Sequence, residues 1–260
     1  MLTKREIKDF LTSQGITKNH TVVIHISMRA VGEVEDGCDG IIDAVKDYLS
    51  DGLLVIPTHT WANVDQNNPV FDVTSTMPCI GALPTVAARR KDGARSLHPT
   101  HSVVAFGKSA QEFTMGEQYS TSPAPVGGLW SRLYDVGAKI LLIGVGLNRN
   151  TFIHAVDEML DLPDRLEEPI PLTVIDKDGT RYQTQFRKHG FTGSENFGKF
   201  KPALDYHGAL SYGTLGNAEV TVFDTKIGTE VIKQLWSKAE FDLCKEDKEI
   251  PKSYYENLTL

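Results

Sequence analysis

The stretch KILLIGVGLNRNTFIHAVDE, residues 139–158, decides the fold. Its opening, KILLIGVG (139–146), is a short apolar run punctuated by glycine and reads as a buried strand. NTFIHAVDEML then opens a helix, with Asn150 or Thr151 as its cap, since short polar side chains there accept from the free N–H groups of a first turn. A buried strand feeding directly into a helix is the building unit of a sheet covered on both faces.

The same alternation runs outward from this unit. TVVIHIS (21–27), LLVIPTHTW (53–61, stopped by Pro57) and SVVAF (102–106) read as further apolar strands. Between them, Thr3 and Glu6 form a capping box for a helix that ends near Gly15. IIDAVKDYLS sets Ile41, Val45 and Leu49 on one helical face, GALPTVAARR holds Pro84 in its first turn, and SAQEFTMG reads as a short helix. Residues 62–78 are polar and read as a long surface loop. From Pro169 the pattern changes: PLTVID and TRYQTQF flank Asp178 and Gly179 as a hairpin. AEVTVFD (218–224) then reads as a strand, TKIGTEVIKQLWSKAEF (225–241) as a last amphipathic helix, and the tail from Lys245 as loosely held. The expectation is one α/β domain over 1–260, a three-layer α/β/α sandwich whose mixed sheet gains antiparallel pairing from the hairpin and the late strand.

Composition narrows the function. With 34 acidic against 27 basic residues the net charge is −7, which disfavours non-specific nucleic-acid binding. No apolar run is long enough to span a membrane. Cys38, Cys79 and Cys244 are far apart without a C-x-x-C pair, so neither a zinc ribbon nor a disulfide framework is expected. MLTKREIKDFLTSQG lacks the charged-then-apolar pattern of a signal peptide, and the cytoplasm is the expected location.

Histidines gather where chemistry is expected. His25, His59 and His154 fall at the carboxyl ends of predicted strands, the side on which open α/β sheets bind ligands. His98 and His101 precede their strand and join the others only if that strand runs antiparallel or a loop carries them. Asp157 and Glu158 follow His154 at helical spacing, so either carboxylate could orient the imidazole. His98-x-x-His101, with His154 or Asp72, has the look of a metal set, but the spacing is generic and no metal is expected. GVGLNRN lacks the third glycine of a dinucleotide fingerprint, and neither a Walker sequence nor G-x-S-x-G occurs.

The ordered motifs carry a resemblance. HISMRAVGEVEDG followed by GIIDAV, then GLLVIPTHTW, then FDVTSTMPCIGALPTVAARRKDGARSLHPTHSVVAFGKSA, then LLIGVGLNRNTFIHAVDE, resemble in order the motifs of the aminoglycoside 3-N-acetyltransferase family. That resemblance implies an α/β/α sandwich unlike the GNAT acetyltransferases, and transfer of acetyl from acetyl-CoA to an amine with no covalent enzyme intermediate. It implies His154 as general base with Glu158 beside it, and Thr58 and Thr60 as hydroxyls near the thioester. His25, Ser27, Met28 and Arg29, with Arg95, Ser96, His98 and Ser102, match segments lining the coenzyme site, where Arg29 and Arg95 suit phosphates. The acceptor side is expected at His59, Trp61, Asp72, Asp157 and Glu195. One stretch departs from the pattern: FRKHGFTGSENFGKF places Arg187, Lys188 and His189 where carboxylates facing a polycationic acceptor are expected. The resemblance makes an aminoglycoside or similar small amine the first expectation for the acceptor, and the basic stretch weighs against a polycation. The alternatives are a non-antibiotic cellular amine, or a coenzyme A-binding protein without turnover. A homodimer is compatible with the chain.

Overall fold

A computed structural model describes residues 1–190 and 193–259. Ten strands occur among them: β1 (Thr21–Ile26), β2 (Leu53–Pro57), β3 (Val70–Asp72), β4 (Ala94–Arg95), β5 (Val103–Phe106), β6 (Lys139–Ile143), β7 (Ile170–Ile175), β8 (Arg181–Phe186), β9 (Leu210–Leu215) and β10 (Ala218–Asp224). The helices are α1 (Lys4–Ser13), α2 (Met28–Val31), α3 (Gly37–Tyr48), α4 (Ala82–Arg89), α5 (Ala110–Thr114), α6 (Leu129–Asp135), α7 (Phe152–Met159), α8 (Lys201–Tyr206) and α9 (Thr225–Lys238).

Seven strands form one sheet in the order β4-β5-β2-β1-β6-β10-β9. β1 lies parallel to β2 and β6, which the apolar runs Val22–Ile24 and Leu54–Ile56 permit because both of their faces are covered. One face packs Leu142, Trp130, Phe152 and Phe223 beneath α6, α7 and α9. The other packs Ile24, Ile41, Val45 and Leu141 beneath α1, α3 and α4. The chain is thus the mixed α/β sandwich expected from the alternation.

At α1 the capping box is complete: Glu6 N–H donates to Thr3 Oγ1 at 3.3 Å and Thr3 N–H to Glu6 Oε2 at 2.7 Å. At α7, Phe152 N–H donates to Asn150 Oδ1 at 3.3 Å, and Thr151 makes no side-chain cap.

Three expectations are corrected. The stretch 62–78 is not all surface loop: β3 pairs parallel with β7, and Val64, Phe71 and Val73 pack against Leu172, Val174 and Phe186. The hairpin β7–β8 therefore belongs to its own three-stranded sheet, and the antiparallel pairing of the main sheet comes from β10 and the unforeseen β9 at one end and from β5 and β4 at the other. The tail beyond Lys245 is docked, with Ile250 buried, the His207 Nε2 atom 2.6 Å from the Tyr255 carbonyl and Gln234 donating to Thr259 at 2.6 Å.

One connection matters most for function. β5 runs antiparallel to β2, so the turn before it reaches the sheet edge where β1, β2 and β6 end.

Candidate active site

At that edge a cavity of about 650 Å³ is walled by Ile24, Pro57, Val64 and Val145 and by the imidazoles of His25, His59, His101, His154 and His189. The rings form a chain of contacts: His59 to His101 at 4.6 Å, His101 to His189 at 6.3 Å and His189 to His154 at 4.1 Å between centroids. Trp130 anchors this array from below, donating its indole N–H to the His101 carbonyl at 3.0 Å and lying 6.4 Å from His25 and 5.5 Å from His59. Burial disfavours the charged form of His25, His59, His101 and His154. It pushes His25 down to about 4 and holds His59, His101 and His154 well below the usual imidazole range, aided by repulsion from neighbouring rings. The Nε2 atoms of His25 and His59 are buried with no hydrogen bond from the protein, so both can serve a polar group of a bound molecule.

His154 sits in the first turn of α7, its side chain 17% exposed. Asp157 Oδ2 lies 3.9 Å from His154 Nδ1, too far for a hydrogen bond. Burial raises the Asp157 carboxyl to about 7, against the pull of Arg165, with Asp242 and Glu158 adding to the rise. Arg165 in turn forks onto Asp242 at 2.8 and 3.0 Å.

Glu158 does not reach His154. Its carboxylate accepts from Ser122 Oγ, from Ala124 N–H at 2.9 Å and from His189 Nε2 at 3.2 Å, because one helical residue beyond Asp157 it turns toward the 122–124 segment. His189 was legible in the sequence only as a departure; the structure places it against His154 with Glu158 behind it.

The model of the aminoglycoside 3-N-acetyltransferase family matches residues 23–236, nearly the whole of this architecture. The chain belongs to the aminoglycoside 3-N-acetyltransferase family. It is 26% identical over 235 residues to aminoglycoside N(3)-acetyltransferase VII of Streptomyces paromomycinus, covering 82% of this chain and 77% of the relative. It is 24% identical over 250 residues to the aminoglycoside N(3')-acetyltransferase-like protein YokD of Bacillus subtilis, covering 85% and 87%. Among solved structures, a mutant aminoglycoside acetyltransferase AAC(3)-IVa in complex with a gentamicin superposes with a TM-score of 0.78 at 24% identity, over 91% of this chain and 89% of that one. AAC-IIIb in a binary complex with CoASH superposes with a TM-score of 0.76 at 21% identity, over 88% and 94%. The protein is accordingly a transferase of the acetyltransferase fold.

Several residues expected on the family pattern are engaged elsewhere. Thr58 and Thr60 are buried and spend their hydroxyls across the sheet edge. Thr60 Oγ1 donates to the Pro99 carbonyl at 2.7 Å, while Thr58 Oγ1 meets Ser102 Oγ at 2.9 Å and Ser102 Oγ donates to the Thr58 carbonyl at 2.8 Å. Neither threonine nor Ser102 lines the cavity. Ser96 accepts from Val103 N–H at 3.1 Å. His98 accepts from the N–H groups of Thr100 and His101 at 3.2 and 2.9 Å and donates to the Ser122 carbonyl at 3.0 Å, so it builds the turn that presents His101. Arg95 Nη1 donates to the Val73 and Thr76 carbonyls at 3.1 and 2.8 Å over the Phe71 ring, and desolvation lowers the guanidinium to about 10; the residue does not line the cavity. Asp72 accepts from the N–H groups of Thr74 and Ser75 at 2.8 and 3.3 Å, closing a turn. Glu195 is exposed away from the cavity, and Asp157 lies behind His154 rather than on the wall. Ser27 caps α2, accepting from Ala30 N–H at 3.3 Å, with Met28 against the core and Arg29 exposed beyond them. His25, His59 and Trp61 do line the cavity.

Asn148, Arg149, Asn150, Thr151 and Ser194 also form the wall, none of them expected there from the sequence, and so does Lys188, which the sequence showed only as a departure from the family pattern. The first four share one signal: they connect β6 to α7, the strand-to-helix crossing where sheet-edge ligands bind. Of the three basic residues past the hairpin, Arg187 turns outward to the Glu167 and Leu166 carbonyls at 2.8 and 3.1 Å, leaving Lys188 and His189 on the cavity. Among the described residues no His/Cys/Asp/Glu group is arranged to hold a metal, and no helix is long and apolar enough to cross a membrane.

Proposed function

We propose that the protein moves the acetyl group of acetyl-CoA directly onto the amine of a small molecule, with His154 as general base. The observation that carries this reading is a neutral imidazole at the wall of a deep, largely apolar cavity, with a carboxyl group 3.9 Å behind its Nδ1. An ammonium has no lone pair, so a base that is already deprotonated at neutral pH is the requirement for attack. The apolar walls at Ile24, Pro57 and Val145 suit a pantetheine arm, and the unpartnered Nε2 atoms of His25 and His59 suit its polar groups. The co-substrate supplies an activated acyl carbon: the N–C bond forms, the C–S bond breaks, and the thiol leaves as the other product. His154 takes the proton from the attacking nitrogen and can return it to the departing sulfur. Apolar packing around Phe186 and Trp130 limits competing attack by water.

The decisive experiment follows free-thiol release from acetyl-CoA across a panel of amines, with wild type and His154→Ala. Release with at least one amine, falling about 10²- to 10⁴-fold in the variant, is expected. Unchanged release in the variant would remove His154 from the role of base. Calorimetric binding of coenzyme A with no transfer to any amine would make the protein a binding protein instead.

A further inference from the structure

The charge of the cavity points to the chemical class of the acceptor. Among the described residues lining it there is no aspartate or glutamate; the fixed charges are the cations Lys188 and Arg149. Neither forms an ion pair among the described residues, and each neighbours in the chain a residue packed at or leading to His154. Lys188 is the chain neighbour of His189, whose ring is 4.1 Å from His154, and Arg149 precedes the cap of the helix that carries His154. The nearest acids are withdrawn. Glu158 is spent on Ser122, Ala124 and His189, and Asp157 is only 3% exposed behind His154. Asp65, which feels the charge of Lys188, is turned onto the N–H groups of Asn67 and Asn68 at 2.8 and 3.0 Å and stays off the wall.

A cavity whose wall carries two cations and no acid repels a polycation and concentrates an anion. We infer that the acceptor is a primary amine that also carries a carboxylate or phosphate, with Lys188, assisted by Arg149, holding that anion while His154 faces the amine. This rests on the transfer reaction proposed above and narrows its substrate. Coenzyme A is also anionic, but its phosphates lie at the far end of the pantetheine arm from the thioester. A cation next to His189 is therefore on the wrong side of the reacting carbon to serve them.

The test uses matched amines with acetyl-CoA: phosphoethanolamine against ethanolamine, β-alanine against its amide, and gentamicin as a polycation. The anionic member of each pair is expected to have the higher kcat/KM, by roughly 10- to 100-fold, the scale of one charge-assisted contact. In Lys188→Gln that preference should collapse while the KM for acetyl-CoA holds, and Lys188→Arg should keep most of it. Equal or better turnover of the neutral amines or gentamicin would overturn the inference and leave the transferase reading standing. Absence of transfer to any amine would instead sink the transferase reading itself. If Lys188→Gln raised the KM for acetyl-CoA and left the acceptor preference intact, the cation would belong to the coenzyme and the inference would fall. The wild-type panel stands even if a Lys188 variant folds poorly.

Discussion

The imidazoles of His154 and His189 lie 4.1 Å apart between centroids, tilted by 40°, and it is His189 whose Nε2 meets a carboxylate, Glu158 Oε1, at 3.2 Å. His154 keeps its own acid, Asp157, at 3.9 Å. The two rings therefore differ in kind. One is tethered by a charged acceptor, and the other is desolvated, neutral and additionally disfavoured as a cation by its neighbour.

Removing that neighbour should be visible in a pH profile. Positive charge on His189 lowers the pKa of His154, so His189→Phe should move the acid limb of kcat/KM upward, toward the ordinary imidazole value of 6.5. Turnover near neutral pH should fall by about tenfold as the Glu158 contact is lost. A limb that stays in place would mean the rings do not interact electrically.

Stability should also track the buried imidazoles. His25 and His98 have folded pKa values of about 4 against 6.5 when exposed, so the unfolded chain binds the extra protons. Their contribution is present in full above pH 6.5 and is lost as the pH falls toward 4, by roughly 3 kcal/mol for each ring. Urea unfolding across this window should show stability dropping with acid, and His25→Leu should lower the proton uptake on unfolding by about one. A flat profile in wild type would contradict the neutral burial of these rings.

Asp157 runs the opposite way. Its folded pKa of about 7 exceeds the ordinary 3.8, so the stability it contributes is present at low pH and disappears as the pH rises through 7. Asp157→Asn should therefore gain on wild type as the pH is raised from about 4 to 8. Arg165 opposes this rise, and its fork onto Asp242 is buried on the arginine side. Arg165→Met should cost roughly 3 kcal/mol, the low end for a buried pair because Asp242 is partly exposed. Thermal unfolding of both variants over the pH range checks the two signs.

How much of this was legible varied with how local the cause is. The α1 capping box, the apolar strands and the helix after β6 depend on neighbouring residues and read directly from their pattern. β3 did not, because Val70–Asp72 become a strand only by pairing with Thr173–Ile175. His101 reaches the cavity because β5 runs antiparallel, the condition read from its place before the strand, while His98 stays in the turn behind it. Thr58 and Thr60 illustrate a period that was available but unused. Thr58 and Thr60 N–H groups donate to the Ser102 and Thr100 carbonyls at 2.7 and 2.8 Å, so the segment is extended and His59 faces opposite to both threonines. With His59 on the cavity, the threonines had to turn away from it. The pairing of His189 with Glu158 spans 31 residues and a separate sheet, and no local pattern encodes it.

The glycines of GVG, which fall short of a dinucleotide fingerprint, have an architectural task that one pair of variants can isolate. Gly144 follows β6 with φ of +64°, and a Cβ there would lie 2.4 Å from Ala30 Cβ and 3.4 Å from Ala218 Cβ. Gly146 has φ of −94°, and its nearest obstacle is the Asn148 Oδ1 atom at 3.2 Å, the end of an exposed side chain that can swing aside. Gly144→Ala combines left-handed backbone strain with a clash against a packed methyl and should cost about 2–4 kcal/mol. Gly146→Ala should cost under about 1 kcal/mol. Because the chain from Gly144 leads straight into Asn148–Thr151 on the cavity wall, turnover in Gly144→Ala should fall further than the change in melting alone explains. Equal melting temperatures for the two variants would mean that the crossover turn does not depend on the left-handed residue, and that the approach of Ala30 is not what fixes it.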